Sequence, residues 1–178
     1  MTVLIQTFNP NSLVFKKALF SYQDVLKSLG YTVKIIDLND CSNSKDFIDV
    51  LLSNLVEAEG YIITLYDDLI FNKIKIPGVK VLEDYLQKSG APYVRLDGRP
   101  PGSAENTVLL DSILFGKITS TKYFFASIFG CYSKELLEEL KLNGVRTAWE
   151  IERFDFRRIE RKFNFENSMA PVYRNNKY

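Results

Sequence analysis

No histidine occurs among the 178 residues, and that single absence excludes Ser-His-Asp and Cys-His relays together with histidine-ligated zinc. Proton transfer is left to Asp, Glu, Tyr, Lys and Cys, and hard divalent cations held by carboxylate oxygens become the natural metal. Cysteine is nearly as scarce. Cys41 and Cys131 stand far apart and no secretory leader is expected before them, so free thiols are expected in place of a disulfide framework. Charge of one sign is lacking too: Lys and Arg total 23 against 22 Asp and Glu. With no global field to draw nucleic acid, any anion site must be local. No apolar run reaches membrane-spanning length, and the opening Met-Thr-Val-Leu-Ile-Gln-Thr is too short for a signal core. A cytoplasmic protein is expected, reaching a membrane only at its periphery through a partner or an acceptor lipid.

What is present reads as one ordinary globular domain, with 46% hydrophobic and 25% charged residues and no internal repeat. Val3 to Thr7 is a short β-branched run followed by the turn formers Asn-Pro-Asn-Ser, hence a strand and a loop. Leu13 to Leu29 repeats apolar residues at helical spacing and stops at Gly30. Tyr31 to Asp37 alternates as a second strand, completing a β-α-β unit with a parallel crossover. A second helix is expected over Lys45 to Ala58, then an unbroken apolar strand from Gly60 to Tyr66 that ends at Asp67-Asp68. Val79 to Ser89 reads as a helix closed by Gly90, and Pro92 to Leu96 as a further short strand. The loop Asp97-Gly-Arg-Pro-Pro-Gly-Ser then separates a regular half, 1–97, from an acceptor-side half and tail, 98–178, that is too short for a core of its own. There Ser133 to Leu142 reads as a helix. Phe154-Asp-Phe-Arg-Arg alternates like an amphipathic strand packed on the main lobe, and residues 174–178 are expected to fray.

Several groups could carry chemistry. In open α/β sheets ligands bind beyond the carboxyl ends of the strands, and Asp67 and Asp68 fall there, able to share a Mg²⁺ or Mn²⁺ ion with a diphosphate. The same pair equally suits a turn or a helix start. Thr7, Asn9, Asn11 and Ser12 could meet phosphate or a nucleobase, or simply cap the first helix. Trp149-Glu150-Ile151-Glu152 sets the only tryptophan beside two acids, a pairing that suits sugar stacking and proton acceptance as well as a half-buried structural ring. Arg95, Arg99, Arg153, Arg157 and Arg158 could clamp phosphate or serve as surface charge.

Taken in order, Ile5-Gln-Thr-Phe-Asn, Tyr61-Ile-Ile-Thr-Leu-Tyr-Asp-Asp, Tyr93-Val-Arg-Leu, Ser127 ahead of Tyr132-Ser-Lys-Glu-Leu-Leu, and Trp149-Glu-Ile-Glu resemble a family of small bacterial and viral glycosyltransferases of the GT-A type, linked to surface-polysaccharide synthesis. The resemblance implies a Rossmann-like three-layer α/β sandwich with a mainly parallel central sheet and a smaller irregular C-terminal acceptor lobe. It implies transfer of a sugar from a nucleotide-sugar donor to a saccharide or glycolipid acceptor, assisted by Mn²⁺ or Mg²⁺. Thr7, Phe8, Asn9, Asp67 and Arg95 would then lie on the donor side, Asp67 and Asp68 on the metal, and Glu150 or Glu152, with Glu150 preferred, would take the acceptor proton. A homo-oligomer or an additional domain would complete acceptor recognition. Two rivals stand beside it: a flavodoxin-like FMN- or nucleotide-binding protein or oxidoreductase, which the opening strand, Ser/Asn loop and helix also fit, and an inactive binding module on a GT-A scaffold.

Overall fold

The computed structural model describes residues 1–7, 11–38, 46–66, 75–97, 103–119 and 123–172, with side chains at all of these but 14, 15 and 18. The first half alternates as expected: β1 (Thr2–Thr7), α1 (Leu13–Ser28), β2 (Thr32–Asp37), α2 (Phe47–Asn54), β3 (Tyr61–Tyr66), α3 (Val79–Ser89) and β4 (Tyr93–Arg95). α1 ends before Gly30, whose φ of 92° is open to glycine and strained for other residues. A side chain there would also strike Val79 of α3.

The second half supplies strands that local pattern did not reveal. β5 (Val108–Leu110) and β6 (Ile113–Lys117) form a hairpin, β7 (Phe129–Ser133) leads into α4 (Lys134–Leu142), and α5 (Ala148–Arg153) precedes β8 (Met169–Pro171). Phe154-Asp-Phe-Arg-Arg is no strand: Phe156–Arg158 is a 3₁₀ turn, started by the Asp155 carboxylate accepting from the Arg157 N–H. Its rings still point inward. Phe156 lies 4.3 Å from Phe124 and 5.3 Å from Phe165, centroid to centroid, within an aromatic cluster that includes Tyr93, Phe125, Tyr132 and Phe154. The alternation therefore serves packing.

All eight strands join one sheet in the order β2-β1-β3-β7-β4-β8-β6-β5. The expected mainly parallel sheet needs correction. Among the described residues β1 pairs in parallel with β2 and β3, and β4 with β8, whereas β7 is antiparallel to both β3 and β4, and β6 to both β5 and β8. Following these pairings across the sheet, β7 and β6 run against the other six strands. The physical reason lies in β7: Phe129 to Ser133 is wholly buried and drops in between β3 and β4, so no helical crossover is needed there. A flavodoxin-type order, parallel from strand to strand, is interrupted at that same place.

Helices cover both faces. Val3, Ile5, Ile63 and Leu65 pack beneath Leu26 of α1 and Leu82 and Leu86 of α3. Leu4 and Ile62 face Leu51 of α2, Leu136 and Leu140 of α4 and Ile151 of α5. Each such fully buried aliphatic side chain contributes roughly 1.5–3 kcal/mol. The result is a three-layer α/β arrangement.

Gly130 lets β7 fit. A Cβ at that position would lie 2.8 Å from the Tyr132 ring, 2.9 Å from the Tyr93 ring and 2.9 Å from the Ala126 carbonyl oxygen. These are rings and backbone in a filled core, unable to yield cheaply, so Gly130→Ala is expected to cost about 1–3 kcal/mol. A thermal melt would show the midpoint falling; an unchanged midpoint would mean the rings have room to move.

Candidate functional site

The carboxyl ends of β1, β3 and β4 lie along one edge of the sheet, since their directions agree and β7 enters between them from that side. Thr7, Tyr66 and Arg95 are the last residues of the three strands. The segment Tyr123–Ile128 runs along the same edge before β7 begins and is pinned from several directions. The Tyr66 N–H donates to the Ile128 carbonyl at 3.2 Å. The Ala126 peptide is held at both ends, its N–H donating to the Tyr93 hydroxyl (2.7 Å) and its carbonyl accepting from Tyr132 (2.7 Å). Burial raises the pKa of both tyrosines, so they stay protonated in this clamp.

Arg95, expected on the donor side, is 5% exposed. Its Nε donates to the Asp97 carbonyl at 2.9 Å and its Nη1 to the Tyr123 carbonyl at 2.6 Å, with Asp97 Oδ2 3.6 Å from Nη2. The guanidinium thus staples the end of β4 to the start of the pinned segment. Thr7 is fully buried, and its carbonyl accepts from the Leu38 N–H at 2.8 Å. Phe8, Asn9, Asp67 and Asp68 lie outside the described residues. Among the described residues no group of three or more acidic or cysteine side chains is placed to hold a metal ion, and no helix is long and apolar enough to cross a membrane.

The two acids near Trp149 occupy different environments. Thr147 and Glu150 form a capping box at the start of α5: Thr147 Oγ1 accepts from the Glu150 N–H, and Glu150 Oε2 accepts from the N–H groups of Thr147 (2.9 Å) and Arg146 (2.8 Å). These donors, Thr147 first and then Arg146, hold the Glu150 carboxyl below the usual carboxylate range. Glu150 is therefore engaged in holding the helix. Because its folded pKa is depressed, its contribution to stability is full above the ordinary glutamate value and lost as pH falls through the folded one. Melting midpoints measured across the acid range should decline accordingly, and Glu150→Gln, which keeps the box, should flatten that part of the decline.

Glu152 points elsewhere. Its Oε1 accepts a 2.6 Å hydrogen bond from Ser127, which is 4% exposed within the pinned segment. No other hydrogen bond reaches this carboxylate among the described residues. The pairing joins residues 25 apart in sequence and had no local signal, whereas the Thr147-x-x-Glu150 box was readable as a cap from spacing alone. Trp149 is 57% exposed, with the Arg153 guanidinium carbon 4.3 Å from its ring centroid.

A cavity of about 520 Å³ opens at the opposite edge of the sheet, lined by Tyr61, Pro92, Ser133, Glu135, Glu139 and Phe163 among others. It holds none of the expected site residues, and Lys162 binds both carboxylate oxygens of Glu139 at 2.8 Å. The carboxyl edge brings together three strand ends, the buried Arg95 guanidinium and the serine-anchored Glu152. No protein-family model matches the chain, nor does any curated protein sequence.

Proposed function

We propose that this protein is a glycosyltransferase of the GT-A type, moving a sugar from a nucleotide-sugar donor to a saccharide or glycolipid acceptor at the carboxyl edge of its sheet. The observation that carries the reading is the Ser127–Glu152 hydrogen bond. It aims a carboxylate whose second oxygen is uncommitted among the described residues at the edge where α/β proteins bind ligands. Glu152 replaces Glu150 as the preferred base, because the Glu150 carboxylate already serves two backbone N–H groups.

In the reaction the acceptor hydroxyl oxygen forms a bond to the anomeric carbon of the donor sugar. The bond from that carbon to the diphosphate breaks, and the hydroxyl proton passes to Glu152. Asp67 and Asp68, next in sequence after Tyr66, would hold a divalent ion that neutralises the departing diphosphate. Thr7, Phe8 and Asn9 would line the donor side. Arg95, being buried, would act from beneath through its charge and through its hold on Tyr123.

The test is product release. The full chain is incubated with UDP-, GDP- and dTDP-sugars and Mn²⁺, and free nucleoside diphosphate is measured. Release from one of the three supports the proposal; no release from any of them contradicts it.

A further inference from the structure

We infer that the exposed face of α5 binds an anionic saccharide, so that the acceptor carries a carboxylate or a phosphate group. The inference rests on the transferase reading above and specifies its acceptor. Trp149, Glu152 and Arg153 stand at positions i, i+3 and i+4 and share one side of the helix. Ile151 is fully buried on the other side. The shared face thus presents an aromatic plane, a carboxylate anchored by Ser127 and a guanidinium within one turn.

Arg153 is the informative member. It is exposed and forms no ion pair among the described residues. Two nearby cations are committed to acids, Arg157 to both oxygens of Asp155 and Lys162 to both oxygens of Glu139; Arg158, also outside any ion pair among the described residues, lies over the Phe154 ring and beyond α5. The Arg153 guanidinium lies over the Trp149 ring instead. Packing of this kind leaves the N–H edges of the plane outward, where a carboxylate or phosphate can meet two of them at once. The part of the Trp149 ring that Arg153 leaves uncovered, in a side chain 57% exposed, adds apolar surface on which a pyranose ring can rest. An acceptor anion drawn to Arg153 would also be kept from the like charge of Glu152 and leave that carboxylate to the reacting hydroxyl.

Trp149 is the sole tryptophan, so its fluorescence reports on this face alone. The full chain is titrated with trigalacturonate as the carboxylate source, glucose 6-phosphate as the phosphate source, maltotriose as the neutral control and triglutamate as an acidic peptide. One or both anionic saccharides should give a saturable emission change about tenfold tighter than maltotriose, weakening as NaCl rises. The stronger of the two names the source of the anion. Arg153→Gln should abolish the preference, while Arg157→Gln, which removes the same formal charge from an already paired site, should leave it. Thermal melts of both variants check that the fold is kept. Equal affinity for maltotriose or for triglutamate, no saturable change with any probe, or a preference that survives Arg153→Gln would each overturn the inference. The two readings fail separately. Anionic preference without turnover of any sugar nucleotide would sink the transferase proposal alone, and turnover indifferent to acceptor charge would sink this one alone.

Discussion

Replacing Glu152 with glutamine is expected to lower the transfer rate by about 10²–10⁴-fold, the usual worth of a positioned general base, while leaving the thermal midpoint close to that of the parent. Glutamine keeps the length of the side chain, and its carbonyl oxygen can still accept the hydrogen bond from Ser127. What it loses is the capacity to take a proton. Glu150→Gln should behave in the opposite way with respect to rate: turnover stays near the parent value, because a glutamine at the third helical position still closes the capping box with Thr147. Parallel initial-rate assays on the two variants decide between the acids. A large rate loss in Glu150→Gln with none in Glu152→Gln would return the base to Glu150 and leave the serine-anchored carboxylate without a catalytic part.

The largest expected effect on stability belongs to Arg95→Met. Methionine fills much of the volume but offers no donor, so the carbonyls of Asp97 and Tyr123 lose their charge-assisted hydrogen bonds. Bonds of that type are worth about 1.5–3 kcal/mol each, and together their loss should cost about 3 kcal/mol or more. In a chain of this size each kcal/mol lowers the melting midpoint by about 2–4 °C. Arg95→Lys should recover little, since one ammonium on a flexible stem does not reproduce a planar fork that reaches two carbonyls at once. Circular-dichroism melts would show the effect. A midpoint within a degree or two of the parent would mean that the segment before β7 is held by Tyr93, Tyr132 and Tyr66 without help from Arg95.

The first half of the fold was legible because its signals are local. Apolar runs of strand length, helical spacing and glycines at helix ends place β1 through β4 and the three helices between them within a few residues of their observed limits. In the second half the helix expected over Ser133 to Leu142 is found as α4, capped by Ser133, but the strands were not legible, for two physical reasons. β5, β7 and β8 are three to five residues long, too short to display a period, and β7 owes its strand conformation to β3 and β4 on either side, which no window of sequence contains. Phe154-Asp-Phe-Arg-Arg shows the converse: its alternation imitates a strand, yet Asp155 caps a 3₁₀ turn and the rings are drawn in by Phe124 and Phe165.

The candidate site divides along the same line. The Trp149-Glu-Ile-Glu stretch stood out in composition as the sole tryptophan beside two acids, but the different partners of those acids could not be read there, because one depends on a cap four residues long and the other on Ser127 across the fold. The cap was open to reading in Thr147-x-x-Glu150. Arg95 illustrates a different limit: a basic residue at a strand end suggests an anion, and only three-dimensional packing reveals that two backbone carbonyls already occupy its donors.

On the transferase proposal, the carboxyl edge of this sheet holds a nucleotide diphosphate together with a divalent cation. Isothermal titration calorimetry of the full chain with UDP-, GDP- and dTDP-sugars, with and without Mn²⁺, addresses it most directly. Saturable binding of one of these donors, dependent on the ion and lost in Asp68→Ala, is the expected result. Binding that is indifferent to Mn²⁺ and survives Asp68→Ala, or no binding of any of the three, would contradict it.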